Sequence, residues 1–451
     1  DVVAVRGDRD NPDSHGFLCV RGQAAREIPG NPLRLLHPMV RDSRGDDFRR
    51  ATWDEALDRV VRGVAAHRRD ATALWLGHGI LANDFGTFAN YQLAARFANM
   101  AGLQSWDGSM VCWGLGGFGL ALTGAMEVNT AQDMGAHSDL IVLWGANLAS
   151  QPGTARHVTA ARRRGATIVA IDVRESEACR MADEAILVRP GTDAALALAV
   201  MHVIVAESLH DAAFVAAHTL GFEALRDHLV QYTPGWAESV TGVGADRIAA
   251  FARRYAGAPR SMLLLGGSSM YKDAHGWQAA RAVSCLPPLT GSLGRAGAGF
   301  GPRHSAYPHG AGVNWITNPA ARPPGEYIPD QMSAIADGIC DGRLRNLVLS
   351  GSNMLSSFPD TARLERGIAG LDLVVWHDLF MSDVARRHAD VVLPATSWLE
   401  DVGVKATSTH LYLMDRVLPA AGETRSLTAV VRDLADRLGV SGFYPWSGET
   451  G

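Results

Sequence analysis

The chain has 451 residues, 47% of them hydrophobic, and a formal net charge of −5, enough apolar material for two or three hydrophobic cores. The acidic balance, with no long run of Lys or Arg, excludes nucleic acid as a partner, and no apolar stretch approaches the roughly 20 residues of a membrane span. Its five cysteines, Cys19, Cys112, Cys179, Cys285 and Cys340, are odd in number and form no C-x-x-C, which excludes a disulfide framework.

Residues 1 to 50 are short β-type runs broken by Gly-Asp, Asn-Pro and Pro-Gly turns, the pattern of part of a small β-rich domain. The first residue is Asp1, and residues 1 to 20 carry no signal-peptide pattern. A cytoplasmic location is favoured and a periplasmic one stays open. Thr52 with Glu55 three residues on has the form of a capping box, followed by apolar residues at helical spacing. ALWLGHG then reads as a strand entering a turn, and residues 83 to 101 as a buried helix.

The next stretch contains Cys112 followed by Gly114, Gly116, Gly117 and Gly119, which formally satisfy G-x-G-x-x-G. A dinucleotide fingerprint needs a strand before it and an acidic residue closing the next strand, whereas Asp139 opens a strand here. A loop whose glycines let a bulky group approach the backbone fits better. Cys112 at its lip is then a nucleophile or a soft-metal ligand, against the alternative of a buried structural cysteine.

From Asp139 to Asp193 the chain reads DLIVLWGANLASQPGTAR and then TIVAIDVRESEACRMADEAILVRPGTD, and it repeats this near residue 350 as NLVLSGSNMLSSFPDTAR and LDLVVWHDLFMSDVARRHADVVLPATS. Gly145 pairs with Gly351, Asn147 with Asn353, Asp172 with Asp378 and Pro190 with Pro394. Each copy predicts an apolar strand, a Gly/Asn turn, a helix, a second strand ending in an acid, a helix and a third strand. That is the grammar of parallel βαβ units, whose strand-end loops bind ligands. Two copies predict two similar ligands or the two ends of a pseudo-symmetric one. Between the copies, SMLLLGGSSM is another strand into a turn that includes Gly266, and a Gly/His-rich loop carries His304 and His309. The fold class expected is α/β, with Rossmann-like parallel sheets in two pseudo-duplicated domains beside a remnant of a small N-terminal β-rich domain. The boundaries are residues 1 to 50, then 51 to 130 with 336 to 451, and 131 to 335.

Taken in order, GFLCVRG, TWDEALD, the Cys112 stretch, LWGANLASQPG, IDVRESEACRMADEAILVRPGTD, LTGSLGRAGAGFG, LSGSNML, HDLFMSDVARRHADVVLPATSWLEDVGV and LPAAGETRS resemble the molybdopterin oxidoreductases of the dimethyl sulfoxide reductase type. The resemblance covers nearly the whole chain. It implies Mo or W held by two pterin guanine dinucleotides, one on each half of the repeat, and a [4Fe-4S] cluster. Cys112 stands at the family's protein ligand to the metal. Cys19 stands at the fourth cluster cysteine, the other three being expected upstream, and Arg21 at a position between cluster and pterin. Gly145, Asn147, Asp172, Arg174, Gly191 and Asp193 resemble one nucleotide site. Gly351, Ser352, Asn353, His377 and Asp378 resemble the other, and Gly266 joins the set of cofactor-binding residues.

The resemblance therefore implies two-electron redox of a small molecule, with an iron-sulfur electron-transfer subunit as partner. A Cys ligand leads away from sulfoxide and amine N-oxide reductases, which use Ser. Trp113, where formate dehydrogenases usually carry His, leads away from formate. A sulfur compound such as thiosulfate or polysulfide is the substrate expected, with formate and nitrate as alternatives within the family. His78, His304 and His309 are candidate proton carriers. Outside this reading stand a non-catalytic electron-transfer subunit of the same fold and a nicotinamide dehydrogenase using the Gly114 to Gly119 stretch.

Overall fold

The computed structural model describes residues 2–84, 87–106, 108–112, 114–124, 128–266, 275–301, 313–407 and 409–447. Its strands are β1 (Met39–Val40), β2 (Arg49–Arg50), β3 (Thr72–Leu76), β4 (Gln104–Ser105), β5 (Leu140–Trp144), β6 (Thr167–Asp172), β7 (Glu184–Leu187), β8 (Ser261–Leu265), β9 (Gly299–Phe300), β10 (Asn346–Ser350), β11 (Leu373–Asp378), β12 (Val391–Pro394), β13 (Gly403–Ala406) and β14 (Leu411–Met414). Two compact units divide the chain: Asp1–Val111 with Pro308–Gly451, and Cys112–Tyr307.

The first unit is built on a seven-stranded sheet of order β2-β1-β12-β11-β10-β3-β4, parallel from β12 to β4. Every residue of β3 and β10 is buried. Successive side chains feed opposite faces, Leu74, Val348 and Val375 into one apolar cluster and Trp75, Leu349 and Trp376 into the other. A sheet covered on both sides demands continuous apolar strands rather than alternating ones, and each buried Leu, Val or Ile contributes roughly 1.5–3 kcal/mol. The helix Trp53–Ala65 covers one face. Its cap forms as the sequence predicts, with Thr52 Oγ1 accepting from Glu55 N at 3.1 Å. The reciprocal half of the box is replaced, because the Glu55 carboxylate pairs with Arg49.

The second unit carries a five-stranded parallel sheet, β7-β6-β5-β8-β9. Four helices, Ala212–His218, Phe222–Leu229, Pro234–Thr241 and Ala245–Gly257, add a helical layer to this unit.

Several local expectations change. Residues 1 to 50 do not stand as a separate β-rich body: β1 and β2 extend the large sheet through β12, and the Cys19 segment opens a short helix, Val20–Ala24. The Gly-rich stretch, expected as a loop, is a helix, Gly114–Ala121, packed on Gly276–Ser284 within the second unit. Gly119 permits that approach, since a Cβ there would lie 2.3 Å from the Trp277 carbonyl oxygen. Gly119 thus serves helix packing, and the stretch is helical from Gly114. The helix expected from residue 83 begins at Ala89; Asp84 Oδ2 instead accepts Asn90 N at 2.6 Å from the preceding turn.

Candidate functional site

The two copies of the repeat build the same strand-end geometry, each within its own unit. Gly145 N donates to Ile171 O at 2.7 Å and Gly351 N to His377 O at 3.1 Å, so the first strand leans on the penultimate residue of the second in both units. Both glycines sit in the left-handed region, φ 61° and 59°, where a side chain would be strained. Val173 N donates to Asp172 Oδ1 and Leu379 N to Asp378 Oδ1. Further down, Ile168 N donates to Asp183 Oδ2 and Val374 N to Asp390 Oδ2, both at 2.8 Å.

A fourth strand completes each arrangement. Ser261 of β8 pairs with Leu140 as Thr72 of β3 pairs with Asn346, and the next residue of each, Met262 or Ala73, pairs with β9 or β4. The glycine closing each of these strands meets the repeat turn. Gly266 N donates to Trp144 O at 2.6 Å and Gly77 N to Ser350 O at 2.8 Å. A Cβ on Gly266 would lie 1.8 Å from Gly145 O, and one on Gly77 would lie 2.2 Å from Gly351 O. The chain order differs: β3 and β4 precede β10 to β12, whereas β8 and β9 follow β5 to β7. Gly77 was not singled out by the sequence, because linear alignment of the copies leaves β3 outside; comparing ALWLGHG with SMLLLGGSS would have exposed it.

In the first unit the turn opens on a cleft of about 160 Å³ lined by Asn83, Gly351, His377, Asp378, Thr396 and Ser397, among others. Burial pushes the Asp378 carboxyl up to about 6. His377 is a bracing residue rather than a free ligand: its Nε2–H donates to Arg425 O at 3.2 Å and its Nδ1 accepts from the Ser350 hydroxyl at 2.9 Å. Burial holds it down to about 4, so it stays neutral. Ser352 Oγ accepts from Trp75 Nε1 at 3.0 Å. The buried Oδ1 atoms of Asn83 and Asn353 and the Oγ of Ser397 have no hydrogen-bond partner among the described residues.

In the second unit Asn147 is self-contained, its Oδ1 accepting from Ala149 N and its Nδ2 donating to Glu177. Asp172 Oδ2 accepts from Ser176. Arg174 and Gly191 are exposed on the loops after β6 and β7, Gly191 at φ 78°. Asp193 is buried at the start of the helix Asp193–Ala206 and accepts from Trp144 Nε1 at 2.8 Å. Trp144→Phe is expected to cost about 1–2 kcal/mol by leaving that carboxylate without its indole donor, read as a shift in the urea midpoint at constant slope.

Cys112 is half-buried two residues before the helix Gly114–Ala121, and Trp113 lies outside the described residues, as do His304 and His309. His78 is exposed on the turn after Gly77. Cys19 precedes Val20–Ala24 without a side-chain cap hydrogen bond, and the nearby Gly22 and Arg21 amides, with the Arg21 charge, hold its thiol below the usual range. Among the described residues no three His, Cys, Asp or Glu side chains form a metal-holding group.

Residues 34–437 match the family model described as molybdopterin oxidoreductase. The chain belongs to that family. It is 31% identical to the probable oxidoreductase YoaE of Bacillus subtilis, across 97% of this chain and 65% of that protein. Identity to formate dehydrogenase H of Escherichia coli is 30%, over 96% and 64%, and to the thiosulfate reductase molybdopterin-containing subunit PhsA of Salmonella typhimurium 26%, over 99% and 62%. The chain thus spans about two thirds of the length of these relatives. The solved acetylene hydratase of Pelobacter acetylenicus shares the fold, with a TM-score of 0.83 at 23% identity, covering 97% of this chain and 66% of that one.

The residues present fit a nucleotide-bearing cofactor. Backbone turns at parallel strand ends suit phosphates, and the acceptors Asp378, Asn83 and Ser397 suit the N–H edge of a base. The only stretch with the G-x-G-x-x-G pattern considered for a nicotinamide cofactor is helical from Gly114, which removes the support for that rival.

Proposed function

We propose that the whole protein is a molybdenum- or tungsten-dependent oxidoreductase that holds two pterin guanine dinucleotides, one at each strand-end cradle. The observation that carries this is the matched pair Gly145/Gly266 and Gly351/Gly77, two strand-end turns of one design, each on a parallel sheet. When bound, the cofactor supplies the two-electron chemistry. The chain's residues hold it: Asp172 and Asp378 accept from the nucleotide, the strand-end turns receive its phosphates, and Cys112 is the thiolate ligand to the metal. Cys19 is one ligand of a [4Fe-4S] cluster. Electrons then pass to an iron-sulfur partner subunit, in keeping with relatives named as subunits.

A reduced or oxidised sulfur compound such as thiosulfate is the substrate class favoured, supported by the thiosulfate reductase relative. Formate is the second reading, favoured by the 30% identity to formate dehydrogenase H. Full-length protein purified without oxygen is expected to hold one Mo or W per chain and to release two guanine nucleotides on denaturation. Cys112→Ser is expected to alter the metal's electron paramagnetic resonance spectrum while leaving the nucleotide count at two. Iron without Mo or W, from a host that makes the cofactor, would point to a non-catalytic electron-transfer subunit. Viologen-coupled assays with thiosulfate and with formate separate the two substrates.

A further inference from the structure

The cleft of the first unit has two loop walls, Asp378–Phe380 after β11 and Ala395–Asp401 after β12. One residue joins them. The Arg34 backbone forms an antiparallel bridge with Phe380, and Leu35 N donates to Leu379 O at 2.9 Å. The Arg34 side chain crosses to the other wall: Nη1 donates to Glu400 Oε1 at 2.6 Å, Nη2 to Glu400 Oε2 at 2.8 Å, and Nη2 also to Ala395 O at 3.2 Å. Glu400 Oε2 accepts in turn from Ser397 N at 2.7 Å. The two side chains are 0% and 1% exposed. Burial alone would raise the Glu400 pKa, but the hydrogen bonds from Arg34 and Ser397 outweigh it and keep the carboxyl below its usual range.

A buried ion pair is a weak source of net stability, because desolvating both charges offsets their attraction. Its value lies in geometry: a planar fork on a carboxylate fixes distance and angle where an ammonium would not. We propose that Arg34–Glu400 is a positioning pair that sets the spacing of the two cleft walls, and through them the affinity of this half-site for the guanine nucleotide end of the cofactor. This rests on the nucleotide reading of the cleft given above. Arg34 touches no ligand itself; it acts through Asp378 on one wall and Thr396 and Ser397 on the other.

The test uses full-length protein made in a host lacking the cofactor, titrated with GDP by calorimetry and melted in parallel. The R34M/E400Q variant removes both charges while the amide oxygen it introduces still accepts from Ser397 N, so it cuts the link between the walls and leaves no lone buried charge. It is expected to melt within a few degrees of wild type and to weaken one GDP site at least tenfold while the second-unit site keeps its wild-type affinity. Arg34→Lys, which keeps the charge without the fork, is expected to fall between the two. A folded R34M/E400Q protein in which both GDP sites stay within twofold of wild type overturns the proposal. If the double variant does not fold, wild-type affinity in Arg34→Lys overturns it equally and weakened affinity at an unchanged melting temperature supports it. Wild-type protein that does not bind GDP overturns the nucleotide reading and this proposal together, whereas tight wild-type binding with unaffected variants removes only the role of the pair.

Discussion

Gly266→Ala and Gly77→Ala are each expected to abolish cofactor retention and to destabilise the protein by about 3 kcal/mol, the upper part of the usual overpacking range. Neither glycine has a positive φ, so the effect is not conformational strain. It is collision with main chain: 1.8 Å to Gly145 O in one case, 2.2 Å to Gly351 O and 2.3 Å to Ser352 Cβ in the other. A flexible side chain could rotate away from a new methyl group, but a main-chain carbonyl in a strand-end turn moves only with the turn itself. The strand ends must part, and the turn that would receive phosphate moves with them. Gly257→Ala, at the end of the helix Ala245–Gly257 with nothing within 4 Å of the added carbon, serves as control and is expected to stay within about 0.5 kcal/mol of wild type. Guanine nucleotide released per chain and the thermal midpoint are the two readings. An alanine at Gly266 that retains both nucleotides would show that the second-unit cradle is not a cofactor site.

Asp84→Asn is expected to remove about 3 kcal/mol of pH dependence between pH 4 and pH 6. Asp84 is 0% exposed with Oδ1 unpartnered among the described residues, and burial, with Asp401 nearby, raises its carboxyl from 3.8 to about 6. At about 1.36 kcal/mol per pH unit, the raised value works in one direction. In this window the folded state holds a proton that the unfolded state releases, so the contribution is full below pH 4 and is lost as pH rises through 6. His377 works oppositely over nearly the same window. Its lowered value means that the unfolded state binds the extra proton, so stability rises from about pH 4 towards 6.5. Asp378, also raised by burial to about 6, adds to the Asp84 fall, so wild type is expected to weaken with rising pH across this window, whereas in Asp84→Asn the Asp378 and His377 slopes nearly cancel and urea unfolding is expected to be close to flat. Parallel pH profiles for the two proteins would refute the assignment.

Much of the fold was legible because a parallel sheet buried on both faces leaves an unbroken apolar run in the sequence. LIVLW, NLVLS and LVVWHD could be little else, and matched Gly, Asn and Asp residues marked their ends. The Cys112 stretch misled locally. A run rich in glycine reads as a loop, yet it is helical, and Gly119 is required by helix-to-helix approach at Trp277, a contact between segments far apart in the chain that no local pattern reports. Residues 1 to 50 misled for a related reason: strands of two residues have too little periodicity to reveal which sheet they join.

The sequence by itself determined the family, the two parallel cores and the repeat, since these rest on apolar period and on motifs local in the chain. Only the tertiary structure decided that Gly77 and Gly266 close the cradles, that Asp193 and His377 are held by Trp144 and by Ser350 with Arg425, and that Arg34 ties two loops through Glu400, 366 residues on. Each of those is a pairing between distant segments. Its specificity lies in hydrogen-bond geometry and steric exclusion, which come into being only when the strands have taken their register.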